Sequence, residues 1–295
     1  MNNLWPESVI EALAYNNIVF VIGSGFSAQS KAKHQTEDLF IANTHPPTWE
    51  KMLHEIAQIL PEKQQKQAEI LIKENSLLLA AEFINYECQK LSKTGDIYKK
   101  IKKLVDSPKN KYHFQPNGWH ECLADLLPRI ILTTNYDKIL ERRFREGFIS
   151  LTLDSNNIQD CIQKSEPIIV HIHGSIENNS TIVLSQSDYI SNEIKNRENF
   201  NVIESLMRTK IFLFLGYSLS DPDILPLLQR TKSWGSENSR FLLTPDDIDS
   251  YKKEMFINSY GVGVLTYSAS PDHKNGLEAL KDLCNEARQI HGDVY

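Results

Sequence analysis

The run "IVFVIGSGFSA" (18–28) constrains the fold more than any other stretch of the chain. Five consecutive apolar residues leave neither side of the segment suited to water. Such a strand is stable where helices cover both faces of a parallel sheet. Similar short apolar runs, each bounded by turn residues, recur at "RIILTTN" (129–135), "PIIVHIHG" (167–174), "TIVLS" (181–185), "KIFLFLGYS" (210–218), "RFLLT" (240–244) and "GVGVLTY" (261–267). Helical spacing of apolar residues marks an opening helix over 7–15, a helix over 199–209 and a closing one over 276–291. Strands alternating with helices predict an α/β chain.

The expected architecture is a Rossmann-like parallel sheet flanked by helices. Residues 29–47 are polar and aperiodic and read as a loop. Between about 46 and 128 nearly everything has helical character, so a helical insertion separates the first two strands of a single domain spanning 1–295. The net charge of −6 argues against a broad nucleic-acid surface. The basic stretch "YKKIKKL" (98–104) reads as a solvated helix face. Cys88, Cys122, Cys161 and Cys284 are scattered with no C-x-x-C pair, which implies reduced thiols and neither a disulfide framework nor a zinc module. The N-terminal residues lack the pattern of a secretory signal. No apolar run approaches the ~18 residues of a membrane span. A cytoplasmic protein is expected.

Four polar clusters each follow a predicted strand, and ligands of open α/β sheets bind outside the carboxyl ends of strands. The first, Gly23 to Ala28, fits G-x-G-x-x-G/A, in which glycines let the backbone approach a pyrophosphate and a helix N-terminus offers free N–H groups. A glycine turn without a ligand fits the same residues. A hydride-transferring site also needs an acidic residue closing a second strand about 20 residues on. Glu50 stands at that distance but within the helical "TWEKML", which disfavours that chemistry. The second cluster, Thr133 to Asp137, could simply cap a helix through Asn135 or Asp137. The third, "HIHGS", sets His171 and His173 on one strand face. A metal needs three or four ligands and no further cluster follows at suitable spacing, so a structural histidine stands against a catalytic His173. The fourth, "LFLGYSLSDPDI" (213–224), carries Gly216, Tyr217, Ser218, Ser220, Asp221 and Asp223. Its Asp-Pro pair suits a helix start, and a ligand loop fits equally.

Taken in order, Gly-x-Gly-x-Ser, Asn-x-Asp at a strand end, His-Gly and Gly-x-Ser-Leu resemble the sirtuin family over about residues 16–267. The variants "TTNYD" and "GYSLSDPDI" look more like the sirtuin-like NAD hydrolases of bacterial anti-phage defence than like protein deacetylases. The missing C-x-x-C pairs remove the deacetylase zinc module, and "QSKAKHQTEDLF" does not match the basic segment that follows the deacetylase glycine loop. The resemblance implies NAD as substrate and no metal. It assigns Gly23, Ser24, Gly25, Phe26 and Ser27 to the diphosphate and neighbouring ribose, with backbone N–H groups facing the oxygens. Asn135 would orient the ribose or the attacking water, Asp137 would accept from the nicotinamide amide, and Gly216, Tyr217 and Ser218 would hold the adenosine half. His173 would be the general base, with a reference pKa of about 6.5 that leaves much of it neutral near pH 7.

The expected activity is hydrolysis of NAD+ to ADP-ribose and nicotinamide by an effector of abortive infection. The alternatives are a zinc-free deacylase or ADP-ribosyltransferase, and a non-catalytic subunit that senses NAD or an ADP-ribose derivative. Unchecked NAD loss would kill the host. Control is therefore expected from homo-oligomerisation or from a separate partner such as a ring-forming ATPase, with no direct role for nucleic acid or membrane.

Overall fold

The computed structural model describes residues 4–109, 111–219, 221–232 and 239–292. Its strands are β1 (Ile18–Ile22), β2 (Ala32–His34), β3 (Tyr112–Phe114), β4 (Ile130–Thr133), β5 (Ile149–Thr152), β6 (Ile168–His171), β7 (Ile211–Leu215), β8 (Arg240–Pro245) and β9 (Gly263–Tyr267). Seven of them form one sheet in the order β5-β6-β4-β1-β7-β8-β9, every neighbouring pair parallel. The α/β reading holds.

Alternation along β1 distributes its residues between two cores. Ile18, Phe20 and Ile22 join Val9, Leu13, Leu123, Leu280 and Leu283, contributed by the helices Glu7–Ala14, Gly118–Asp125 and Lys274–Gly292. Val19 and Val21 join Phe200, Ile203, Met207, Leu227 and Leu228, from Arg197–Thr209 and Ile224–Thr231. Phe20 is wholly buried, and truncating it to alanine should cost about 3–5 kcal/mol through lost transfer energy and a cavity.

The chain leaves β1 for β4 on one side and later returns to place β7 on the other, so the strand order reverses around β1. Open α/β sheets form their ligand crevice at such a switch point, beyond the strand carboxyl ends. The helices Trp49–Ala57, Glu62–Lys73, Leu77–Lys90 and Thr94–Val105 stand over that edge. Met52, Leu53, Ile56, Ile72, Ile84, Ile97 and Ile101 give them a core of their own, which continues into Tyr136, Ile176, Ile182 and Leu184 of the sheet loops. The Tyr136 hydroxyl donates to the Val183 carbonyl at 2.6 Å. On the outer side of Thr94–Val105, Lys99 pairs with Asp96 and Lys100 with Glu55, as a solvated basic face requires.

Several local expectations are corrected. Residues 32–34, read as loop, pair antiparallel with 112–114, which lie within the stretch read as helical. The strand β5 had no counterpart among the predicted runs; Ile149 and Ser150 are exposed at the sheet edge, which dilutes the apolar signal. Conversely "TIVLS" is apolar yet forms no strand. Ile182, Val183 and Leu184 are buried, and the Val183 amide donates to the His173 carbonyl, but the side chains of Ile182 and Leu184 fill the core beneath the insertion rather than extend a ladder.

Candidate active site

A cavity of about 450 Å³ opens at the switch point, within the range of roughly 300–1,000 Å³ usual for small-molecule sites. Gly23, Ser24, Gly25, Phe26 and Ser27 line it, as do Asn135, Asp137, His173, Gly216, Tyr217 and Ser218. All four sequence clusters therefore face one space. Ser220 lies outside the described residues.

The glycine loop and the turn after β7 are built against each other. The Gly25 amide donates to the Gly216 carbonyl at 2.9 Å and the Gly23 amide to the Leu215 carbonyl at 3.0 Å. A Cβ on Gly23 would stand 2.5 Å from the Gly216 oxygen. Gly216 has φ +59, and a Cβ there would stand 2.2 Å from the Phe26 nitrogen. Close packing of two turns thus accounts for these glycines. It also corrects one expectation: the amides of Gly23, Gly25 and Phe26 already donate to protein carbonyls and are not free to face a diphosphate. Beneath the loop, His120 is fully buried, and burial depresses its pKa to about 3. Its Nδ1 meets Asn117 Oδ1 at 2.9 Å, and the Asn117 amide nitrogen donates to the Phe26 carbonyl at 2.9 Å. This neutral pair braces the loop from below.

Asn135 follows β4, and its Nδ2 donates to the Gly23 carbonyl at 3.3 Å, so its side-chain orientation depends on the glycine turn. Its own carbonyl accepts from His171 Nδ1 at 2.8 Å, while His171 Nε2 pairs with Glu141 at 2.7 Å. His171 is the structural histidine of the two. The strand ends there, and the following turn, closed by Gly174 at φ +79, aims His173 elsewhere. The expectation that both histidines lie on one strand face is corrected on that ground. Asp137 gives one oxygen to the Ile139 amide at 2.9 Å, the bond of a simple cap. Burial pushes its carboxyl up to about 7, with Glu141 and Asp106 adding to the rise and the Ile139 amide opposing it.

His173 is 3% exposed. Its Nε2 lies within ion-pair distance of both Asp221 Oδ2 and Asp223 Oδ2, 3.3 Å from each. Burial alone would lower its pKa, but the two carboxylates outweigh burial and raise it to about 10. The two carboxylates thus favour the charged imidazolium, where the reference pKa implied a largely neutral ring. Tyr189 packs against its ring edge-on, with centroids 5.0 Å apart at 80°. His173, Asp221 and Asp223 also offer three ligand atoms within 4.8 Å of one another, a set able to hold a divalent cation. Sequence spacing hid this convergence because the donors come from the ends of β6 and β7, which are not neighbours in the sheet.

A family model described as SIR2-like domain matches residues 129–265. Over those residues the chain is similar to a SIR2-like domain. The sirtuin-like resemblance read from motif order therefore stands. NAD(+) hydrolase ThsA of Bacillus cereus is 27% identical to this chain over 188 residues, 63% of this chain and 37% of that protein. NAD(+) hydrolase ThsA of Enterococcus faecium is 30% identical over 124 residues, 41% of this chain and 26% of that protein. Defense-associated sirtuin 2 of Bacillus subtilis is 24% identical over 164 residues, 52% of this chain and 14% of that protein. The chain thus spans well under half the length of each of these relatives.

The site holds more than the sequence reading singled out. Trp49, Trp119, Tyr267 and His273 also line the cavity, and from the helix Gln186–Lys195 Tyr189 packs on the His173 ring while Asn192 donates to Asp223. The signal for the last two was faint: "SQSDYISNEIK" reads as an ordinary amphipathic helix after a Ser185 cap, and only the fold turns its polar face inward. Asp221 was legible as a cap, and its two oxygens divide between the cap and the histidine. Oδ1 accepts from the amides of Asp223 and Ile224, while Oδ2 faces His173. Among the described residues no helix is long and apolar enough to cross a membrane.

Proposed function

We propose that the SIR2-like domain hydrolyses NAD+ to nicotinamide and ADP-ribose and serves in anti-phage defence. The observation that carries this reading is the single cavity shared by Asn135 and His173 at the switch point of a parallel sheet. The names of the relatives, NAD(+) hydrolase and defense-associated sirtuin, point the same way.

In the reaction, the bond between ribose C1′ and the nicotinamide nitrogen breaks and its electron pair leaves with nicotinamide. A water oxygen bonds to C1′ and one proton is released. Nicotinamide leaves as a neutral ring, so the site must mainly position water and stabilise positive charge on the ribose. Asn135, fixed by the Gly23 carbonyl, orients the ribose or the water. His173 with its two carboxylates forms a cluster of net negative charge that favours the developing cation. The cationic ring of NAD+ opposes the imidazolium charge, which helps His173 to release one proton to solvent when NAD+ binds. The neutral ring then takes a proton from water or a ribose hydroxyl, so one proton is released per turnover. Asp137 accepts from the nicotinamide amide, and the turn Gly216–Ser218 holds the adenosine half. Divalent cations are not needed in this scheme.

Control of such an activity falls to self-assembly or to a partner chain. Size-exclusion chromatography with activity measured across the peaks tests this; a monomer with full constitutive activity contradicts it. The main reading is tested by incubating purified protein with NAD+ and resolving nicotinamide and ADP-ribose, alone and with the product of the neighbouring gene. Equimolar release of both is expected. Tight binding of NAD+ without turnover under every condition overturns the hydrolase.

A further inference from the structure

We infer that Asp221 and Asp223 are positioning residues that set the tautomer of His173, holding a proton on Nε2 and leaving Nδ1 as the only ring nitrogen that can exchange a proton with water or ribose. The inference rests on the reading that His173 serves NAD+ cleavage, and it assigns the roles of two side chains that the motif resemblance leaves without one.

The geometry carries it. An ionised carboxylate can only accept, so an Nε2 facing two of them at 3.3 Å must carry hydrogen. Each carboxylate is fixed by a second partner and cannot swing away cheaply. Asp221 Oδ1 accepts from the amides of Asp223 and Ile224 at 2.9 and 3.1 Å. Asp223 Oδ2 accepts from Asn192 Nδ2 at 3.1 Å, and the same nitrogen lies 3.3 Å from the Ile172 carbonyl, one residue before the histidine. Asn192 is itself oriented by Asn196, whose Nδ2 donates to its Oδ1 at 2.8 Å. Tyr189 closes the edge of the ring. A carboxylate behind the histidine of a hydrolytic site does the same work in the Ser-His-Asp triad, where it fixes the tautomer and stabilises the imidazolium.

The electrostatics agree in direction. Asp221 is held below the ordinary carboxylate range: burial opposes this, but the His173 charge and hydrogen bonds prevail. Burial raises the Asp223 carboxyl, and Asp221 beside it adds to the rise. Asp221 is therefore the stronger ionic partner. The other titratable groups that face the cluster are Tyr136, Tyr189 and Tyr217, all raised above the usual phenol range by burial and by these same carboxylates. None of them titrates below the imidazole.

The test uses the full chain and the variants Asp221→Asn and Asp223→Asn, each checked for cooperative thermal unfolding. Ring 15N spectra, with His173 assigned by His173→Gln, should show the Nε2–H form and a pKa lower in both variants by about one pH unit or more. In NAD+ hydrolysis, kcat should fall by about tenfold or more with KM nearly constant, and the acid limb of kcat/KM should move to lower pH. A His173 that carries its proton on Nδ1, or variants that keep wild-type kcat and pH profile, overturns the inference. Activity abolished by a chelator and restored by Mn2+, with metal binding lost in Asp221→Asn, also overturns it and makes the cluster a cation site. If wild-type protein releases no nicotinamide, the hydrolase reading fails by itself, while the ring spectra still decide whether the carboxylates set the tautomer.

Discussion

The Gly25 amide donates to the Gly216 carbonyl at 2.9 Å, so the turns that follow β1 and β7 form one bonded unit although 190 residues separate them in the chain. Neither turn keeps its shape without the other, and both border the cavity.

Gly216→Ala should therefore unfold the site rather than trim it. The new Cβ would require φ +59 of a residue that resists it and would stand 2.2 Å from the Phe26 nitrogen. A loss of about 2–4 kcal/mol is expected from combined strain and clash. Denaturant melts measure it, and a midpoint equal to wild type would refute the packing argument.

Tyr136→Phe tests the tie between the loop after β4 and the loop after β6, beneath the helical insertion. Its hydroxyl bonds the buried Val183 carbonyl at 2.6 Å, and removal leaves that carbonyl without its donor, at a cost of about 1–3 kcal/mol. The cavity wall loosens with it, so KM for NAD+ should rise more than kcat falls. Unchanged stability and KM would mean that the two loops are held by apolar packing alone.

Much of this was legible in the sequence for physical reasons. A strand buried on both faces must be apolar throughout, and β1, β4, β6, β7 and β8 announce themselves that way. Residues that serve a ligand at the carboxyl end must follow such runs directly, which made Gly23, Asn135, His173 and Gly216 visible. What stayed hidden depends on convergence. Asp223 and Asn192 meet only because a helix after β6 folds back beside the turn after β7. "TIVLS" misled because buried apolar residues filling an inter-element gap have the composition of a strand.

Asp137→Asn probes the electrostatics of the cavity through stability. The folded carboxyl is raised to about 7, so the folded state keeps its proton while the unfolded chain gives it up near pH 4. The stability contributed by this proton is present below pH 4, fades between 4 and 7, and is absent above. The asparagine, which still accepts from the Ile139 amide, should gain about 1–4 kcal/mol over wild type at pH 8 and nothing at pH 4. Parallel thermal melts at the two pH values check this; an equal effect at both would show that the carboxyl ionises freely in the fold.

The account as a whole depends on a dinucleotide's ribose lying between Asn135 and His173. Its most direct test is the rate of nicotinamide release from NAD+ by wild-type protein and by folded Asn135→Ala and His173→Ala. The account predicts that wild type releases nicotinamide and that each variant loses the activity by about a hundredfold or more while keeping its thermal midpoint. A well-folded His173→Ala protein that still cleaves NAD+ at the wild-type rate would contradict it.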